Sequence, residues 1–232
     1  MIVLGLAGQA GSGKTTVAEY LVRTYGFIRF GFAAALYNEV AAAYGHPDDS
    51  MLRDRRYKEA PTEALALGMC SSEGFKVVAR EILKAMHPYV DDADTIPLSS
   101  RWVLQHWGTN YRRAQDENYW LIQADKFING VRSAVMYPEH RAQLFVCDDV
   151  RFENERQFIR GHTDGGMWHI FRRGAKPVAL HVSENPLEIW SGERELYNND
   201  SISRLHYGID LLMRSSARFV AVEPELPMEE NK

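Results

Sequence analysis

The stretch Gly8-Gln9-Ala10-Gly11-Ser12-Gly13-Lys14-Thr15 decides how the rest of the chain is interpreted. It satisfies the pattern G-x-x-x-x-G-K-S/T, in which glycines let successive backbone N–H groups surround an anion. A short apolar run, Ile2 to Leu6, precedes it and predicts a buried strand. Apolar residues at helical spacing from Lys14 to Tyr25 predict a helix directly after it. A strand, a glycine-rich loop and a helix N-terminus in this order predict a site for the phosphates of a nucleoside triphosphate.

Short apolar runs and helical patterns alternate around this loop. A second strand is predicted at Phe27 to Phe32 and a second helix at Ala33 to Tyr44. Strands are also predicted at Leu144 to Cys147 and at Met167 to Phe171, and a further strand is predicted at Pro177 to His181. This alternation predicts a three-layer α/β/α fold of the P-loop NTPase type, with a central, mainly parallel sheet.

The middle of the chain is helical and rich in charge. Helices are predicted at Phe75 to Met86, at Arg101 to Trp107 with Gly108 ending it, and at Tyr119 to Ser133. We therefore expect a single P-loop domain over residues 1–232 with a helical insertion at about 47–135.

Composition excludes several classes of protein. The 232 residues are 45% hydrophobic, which argues against disorder, and the formal charge of −4 argues against a general nucleic-acid or membrane-surface binder. Cys70 and Cys147 form no CxxC pair, which argues against a disulfide scaffold or a structural zinc site. The apolar run at Met1 to Ala7 is too short for a signal or a membrane span. We expect a cytoplasmic protein with no nucleic-acid or membrane partner.

Lys14 and Thr15 have separate predicted roles in the loop. The Lys14 ammonium should reach the β- and γ-phosphates, and the Thr15 hydroxyl should bind Mg²⁺. The nucleotide-binding set predicted from the pattern is Gly8, Gly11, Ser12, Gly13, Lys14, Thr15 and Thr16.

A basic, aromatic segment at Ser100 to Trp120 is the candidate acceptor site. Arg101 and Gln105 lie four residues apart and share a helix face. Guanidinium groups suit a phosphate, and Trp107 or Trp120 offers a ring on which a base can stack. A solvated basic helix packed through Trp and Leu is the alternative.

Two carboxylates, Asp148 and Asp149, follow the strand at Leu144 to Cys147. The carboxyl ends of parallel strands face the ligand crevice, so either residue can contribute to the Mg²⁺ shell or orient an acceptor. Asp149 acting as a helix N-cap is the alternative.

Four further features are interpreted either as binding residues or as structural ones. Arg172 to Lys176 is either a cationic lid over the transferring phosphoryl group or a solvated turn. The mixed-sign run Arg53 to Lys58 is either a monophosphate contact or a solvated face. Asn198 to Ser201 indicates a turn with an N-cap, and His181 is interpreted as a hydrogen-bonding residue rather than a metal ligand.

Five segments together resemble the deoxynucleoside monophosphate kinases of tailed bacteriophages. They are the phosphate loop, "RWVLQHWGTNYRRAQDENYW", "VCDDVRFENE", "HVSE" and "YNNDS". The resemblance covers about residues 1–45 and 98–215, and its most specific part is L-Q-x-x-G-T-x-x-x-R-x-x-D-x-x-x-W from Leu104 to Trp120. It selects Arg113 over Arg112 and Trp120 over Trp107, and D-x-R-x-x-x-E corresponds to Asp149, Arg151 and Glu155.

The resemblance implies a kinase that transfers the ATP γ-phosphoryl group to a dNMP, with Mg²⁺, as a homodimer in the host cytoplasm. The insertion would then lie on the acceptor side. The predicted catalytic residues are Lys14 from the loop pattern, Asp149, and Arg172 from the candidate lid, and the resemblance places Asn199 near the ATP base. The implied dNMP-binding residues are Arg101, Gln105, Arg113, Trp120, Asp149 and Arg151.

One departure separates this chain from the family pattern. Such kinases often carry "FAD-x-LK" after the second strand, whereas this chain has Phe32-Ala33-Ala34-Ala35-Leu36-Tyr37 and lacks the acidic group. Asp148 or Asp149 then takes its role, or the site is arranged differently; spacing favours Asp149. The alternatives in function are another small-acceptor kinase, such as a dephospho-coenzyme A kinase, and a P-loop ATPase or switch that acts through a protein partner.

Overall fold

The computed structural model describes residues 1–134, 143–162, 164–175 and 187–215. The strand predicted at Pro177 to His181 lies outside these residues. So do Lys176 of the predicted lid and Glu184, the last residue of the segment HVSE. The chain divides into two compact units. Unit 1 comprises Met1–Phe32 and Ala124–Lys232, and unit 2 comprises Ala33–Gln123. A single domain with an insertion at about 47–135 stays a prediction.

All five strands of the described residues belong to unit 1, and a long helical segment lies between the second and the third of them along the chain. The helices and strands are β1 (Ile2–Ala7), α1 (Lys14–Tyr25), β2 (Ile28–Phe30), α2 (Phe32–Ala43), α3 (Ser50–Arg53), α4 (Arg55–Lys58), α5 (Glu73–Met86), α6 (Ser100–His106), α7 (Tyr119–Ala134), β3 (Leu144–Cys147), α8 (Glu153–Gly161), β4 (Gly166–Phe171), β5 (Arg194–Tyr197) and α9 (Ile202–Ser215). Short 3₁₀ helices lie at Glu63–Leu65, Leu67–Met69 and Ala93–Thr95, and a π-helix at Trp107–Arg113 follows α6.

Unit 1 contains a five-stranded sheet in the order β2-β3-β1-β4-β5, with every neighbouring pair parallel. In this register Ile2 lies opposite Leu144, and Leu4 lies opposite Gly166. All six residues of β1 are buried, as expected of a central strand covered on both faces. The α/β fold with a parallel central sheet is confirmed. Its parallel order brings the carboxyl ends of β1, β3 and β4 to one edge, where the phosphate loop begins.

Helices α1 and α9 supply the apolar core on one face of the sheet. Leu21 of α1 and Ile209 of α9 are fully buried together with Leu6 of β1. Gly26 ends α1 with a φ of 69°, a left-handed conformation that glycine adopts without a Cβ clash, and its N–H donates to the carbonyl of Val22 at 3.1 Å. The helix predicted at Lys14 to Tyr25 is confirmed with those ends.

Unit 2 is built from helices around an apolar core that includes Phe75 and Trp107, whose ring centroids lie 4.6 Å apart. The prediction that Gly108 ends α6 is wrong, because the chain continues as a π-helix to Arg113. Gly108 is buried, and a Cβ there would lie 3.3 Å from Leu36. The glycine therefore serves close packing rather than helix termination. None of the described helices is both long and apolar enough to cross a bilayer.

Candidate phosphate-transfer site

The phosphate loop joins β1 to α1 through glycines in conformations that side chains disfavour. Gly8, Gly11 and Gly13 have φ values of 148°, 76° and 105°. A Cβ at Gly8 would collide with the carbonyl oxygen of Ile170, so this glycine also permits close contact with β4. Gly13 precedes the first turn of α1 and has no side chain that would compete with an anion for the helix N–H groups.

The Lys14 ammonium lies against the loop itself. Its Nζ donates to the carbonyl oxygens of Gly8 and Gln9, at 2.6 and 3.0 Å. This contact keeps the positive charge beside the glycine N–H groups, so both features attract the same anion. Ser12 is buried and Thr16 half-buried in the same loop and helix start.

Asp148 follows β3 and contacts the other end of the loop. The Thr15 hydroxyl donates to Asp148 Oδ2 at 3.1 Å. Arg29 of β2 holds the same carboxylate with two bonds, from Nε to Oδ1 at 3.1 Å and from Nη2 to Oδ2 at 2.6 Å. The side chain of Asp148 is 10% exposed and that of Arg29 is 41% exposed. Asp148 is therefore fixed on the α1 side of the site.

Asp149 makes a different set of contacts. Its Oδ1 accepts hydrogen bonds from the backbone N–H of Phe32 at 2.9 Å and from the Cys147 thiol at 3.1 Å. A Cβ at Gly31 would lie 2.8–3.2 Å from the carboxylate, so this glycine makes room for Asp149. Phe32 begins α2, whose first turn contains no acidic residue, and Asp149 supplies negative charge there. Burial, with Asp149 next in effect, raises the pKa of the Cys147 thiol well above its usual range, so it stays a donor.

The oxygen atoms beside the loop fit a magnesium ion. The Thr15 hydroxyl gives its hydrogen to Asp148 and keeps its lone pairs for a cation, and Mg²⁺ prefers such hard oxygen ligands. Mg²⁺ is commonly held by one or two protein groups and the phosphates of its substrate. Within the described residues, no three His, Cys, Asp or Glu side chains cluster as a metal cage would require.

The segments after β4 and β5 approach the loop from its other side. Asn198 donates its side-chain N–H to the carbonyl of Ser12 at 2.9 Å and lies beside Gly13. Arg172 Nη1 is 3.5 Å from the carbonyl oxygen of Gly11. Asn199, predicted near the ATP base, accepts from the backbone N–H of Arg173 at 2.7 Å. The lid predicted at Arg172 to Lys176 is described only as far as Ala175.

In unit 2, α6 carries Arg101 and Gln105 as predicted. The Arg101 Nε donates to Glu59 at 2.6 Å, and Glu59 is 66% exposed. Such a pair is weak in water, so Arg101 can exchange Glu59 for a phosphate. Gln105 is half-buried.

The π-helix distinguishes its two arginines. Arg112 Nε donates to Glu39 at 2.8 Å, and the guanidinium carbon lies 4.6 and 4.8 Å from the ring centroids of Tyr111 and Tyr119. Tyr119 also donates to Glu39; burial and this bond raise its pKa to about 12. Arg113 instead contacts the carbonyl of Glu117 at 3.4 Å. The Arg112 guanidinium is thus held by a carboxylate and two aromatic rings within unit 2.

Both candidate stacking tryptophans are buried. Trp120 is 3% exposed, and its indole N–H donates to the carbonyl of Gly108 at 3.3 Å. Trp107 is 2% exposed and donates to Glu39 at 3.0 Å. Neither ring offers a face to solvent here, and the dNMP-binding role of Trp120 stays a prediction.

Arg151 is exposed and lies two residues before the start of α8. Its backbone N–H donates to Glu155 Oε2 at 2.7 Å, and Phe152 N donates to the same oxygen at 3.1 Å. Glu155 is 2% exposed and acts as a cap for the start of α8. The glutamate in D-x-R-x-x-x-E therefore has a structural contact that accounts for its position.

Sequence reasoning missed Arg29 and Glu39, and within the segment Asn198 to Ser201 it named Asn199 rather than Asn198, which contacts the loop. Of the two missed residues, only Arg29 could have been noticed from the sequence, because a charged residue interrupts the strand predicted at Phe27 to Phe32. Glu39 and Asn198 contact residues 68 and 186 positions away, so no local pattern indicates their roles.

Comparisons with known proteins identify a family for the chain. A family model described as "Deoxynucleotide monophosphate kinase" matches residues 54–209. A protein of Acanthamoeba polyphaga mimivirus, named "Putative deoxynucleotide monophosphate kinase", is 27% identical over 207 residues, which cover 89% of this chain and 93% of the relative. Since the family model spans more than half of the sequence, the chain belongs to the deoxynucleotide monophosphate kinase family.

Proposed function

We propose that this chain transfers the γ-phosphoryl group of ATP to a deoxynucleoside monophosphate, giving a dNDP and ADP. The observation that carries the proposal is the glycine loop between β1 and α1, with Lys14 on it and the Thr15–Asp148 pair beside it. A family whose members are deoxynucleotide monophosphate kinases supplies the acceptor class.

The donor site holds triphosphate through the loop N–H groups and the first turn of α1. Lys14 leaves the carbonyls of Gly8 and Gln9 and bonds to the β- and γ-phosphates. Arg172, beside Gly11, adds positive charge to the transferring group. Asn199 lies near the base.

Thr15 and Asp148 hold the metal. A bound Mg²⁺ would supply positive charge that offsets the charge of the phosphate oxygens during transfer. Asp148 accepts the Thr15 hydrogen and so aims the hydroxyl oxygen at the ion. Asp149 keeps the role implied by the family resemblance, acceptor placement, through its bond to the start of α2.

Arg101 and Arg113 bind the acceptor phosphate, and Gln105, Trp120 and Arg151 keep the dNMP-binding role expected from the resemblance. Glu39 holds Arg112 in place, and the family resemblance assigns the acceptor phosphate to Arg113. No strong general base is needed, because positioning and charge stabilisation supply most of the rate.

The test is ADP release from MgATP with each of a panel of dNMPs and without any acceptor. A kinase shows turnover that requires a particular dNMP. Turnover independent of dNMP would instead support an ATPase or switch, and turnover only with dephospho-coenzyme A would support the other kinase class.

A further inference from the structure

We propose that the Arg29 guanidinium stays paired with the Asp148 carboxylate until a nucleotide binds, so that the metal binds together with the nucleotide rather than before it. The inference rests on the proposed Mg²⁺ and nucleotide chemistry of the loop. It assigns to Arg29, a residue outside the motif, control over when the metal site is available.

The first step is that the guanidinium bonds the very carboxylate that faces the metal site. Arg29 Nη2 lies 2.6 Å from Asp148 Oδ2, and Thr15 Oγ1 lies 3.1 Å from the same oxygen. Arg29 Nε covers the second oxygen at 3.1 Å. A cation approaching the Thr15 hydroxyl therefore meets a carboxylate whose charge is already compensated.

The second step concerns how easily this pair opens. Asp148 is nearly buried at 10% exposure, whereas the Arg29 side chain is 41% exposed. The arginine can rotate into water at small cost, and the aspartate cannot leave. A nucleotide brings phosphate oxygens that complete the coordination of Mg²⁺, and the combined attraction then displaces Arg29 from one or both oxygens.

The third step is the functional consequence. A metal bound without nucleotide would hold its own water shell against the incoming phosphates. An arginine that weakens metal binding to the nucleotide-free protein keeps the site ready for the metal–nucleotide complex.

The experiment measures Mn²⁺, a paramagnetic substitute for Mg²⁺, binding to nucleotide-free protein by electron paramagnetic resonance of the free ion. Arg29→Met should raise the Mn²⁺ affinity about tenfold, the lower end of what a charge-assisted bond supplies, because the pair is partly solvated. Arg29→Lys, which keeps the charge without the fork, should give a smaller rise. The double variant Arg29→Met, Asp148→Asn should show no rise.

The matched control is Arg80→Met. Arg80 also makes two bonds to one carboxylate, Asp94, both at 2.7 Å, and is 35% exposed, but it lies in unit 2 away from the loop residues along the chain. The Mn²⁺ affinity of the Arg80→Met protein should equal that of the unaltered protein.

Unchanged or weaker Mn²⁺ binding in folded Arg29→Met would overturn the proposal and make Arg29 a positioning residue that holds Asp148 for the metal. If Arg29→Met does not fold, a rise or its absence in Arg29→Lys decides the matter in the same way. The titration contains no dNMP and no turnover, so a failure of the dNMP assay leaves its result intact.

Discussion

Adjacent carboxylates at the end of β3 make unrelated contacts because successive residues of an extended segment point to opposite sides. Asp148 meets the Thr15 hydroxyl and Asp149 meets the start of α2. The sequence predicts that both lie near the site, since they follow a buried strand. The family-like spacing favours Asp149 for the catalytic role, which stays a prediction. The loop contact is made by Asp148, whose carboxylate is also held by Arg29, 119 residues away, and no local pattern indicates that pairing.

Asp148→Asn should lower kcat by about a hundredfold or more and raise the Mg²⁺ concentration needed for turnover, because the amide is a weaker metal-site group. Asp149→Asn should raise the KM for dNMP and lower the free energy of unfolding by about 1 kcal/mol, with a smaller loss of kcat than Asp148→Asn, since it removes charge from the acceptor-placing contact at the start of α2. Kinetics across a Mg²⁺ titration and urea unfolding of both variants test this. A larger kcat loss in Asp149→Asn would favour the catalytic role implied by the family resemblance.

Lys14→Ala should lower kcat by several orders of magnitude, because it removes a charge from the transferring phosphoryl group. Its free energy of unfolding should change by less than about 1 kcal/mol, since the two loop carbonyls it bonds can take water instead. Turnover and thermal unfolding are measured on the same preparation. Near-normal turnover in the folded variant would remove the kinase proposal.

At the scale of elements, sequence patterns predicted those helices and strands whose bounds depend on neighbouring residues along the chain. Helix α1 has the predicted ends because a glycine follows it and apolar residues repeat along it. The π-helix was not predicted, because Glu39, far back in the chain, bonds Trp107, Arg112 and Tyr119. Strand β5 was missed because it is short and only Leu196 of its four residues is buried.

The π-helix permits a comparison of neighbouring arginines. Arg113→Ala should raise the KM for dNMP roughly ten- to a hundredfold while ATP binding and stability hold, because its guanidinium is assigned to the acceptor phosphate. Arg112→Ala should instead lower the free energy of unfolding by about 2 kcal/mol, since it loses Glu39 and two rings. Nucleotide titrations and denaturant melts separate the two. A loss of ATP affinity in Arg113→Ala would assign that arginine to the donor side.

The connection between β2 and α2 depends on the absence of one side chain. Gly31→Ala should destabilise the fold by about 1–3 kcal/mol, because its Cβ would press on the Asp149 carboxylate. In the Asp149→Ala background the same substitution should cost much less, since the clash is gone. Unfolding free energies of the four proteins form a double-mutant cycle. Additive costs would show that Gly31 and Asp149 act separately.

At the scale of the whole molecule, the alternation of strands and helices was sufficient to predict a parallel α/β fold. Self-association is a separate matter. The homodimer implied by the family resemblance predicts a solution mass twice the 26.5 kDa of one chain. Sedimentation or light scattering at several protein concentrations measures it, and a constant monomer mass would contradict it.

The strand order β2-β3-β1-β4-β5 also determines what happens on the ribosome. The neighbours of β1 begin at Leu144 and Gly166, so at typical translation speeds β1 waits roughly 7–30 s for its first partner. All of Ala33–Gln123 emerges within that interval and can collapse around its own apolar residues. The six apolar and small residues of β1 meanwhile lack a neighbouring strand. We therefore expect this segment to bind nascent-chain chaperones and to promote inclusion bodies when synthesis outpaces them.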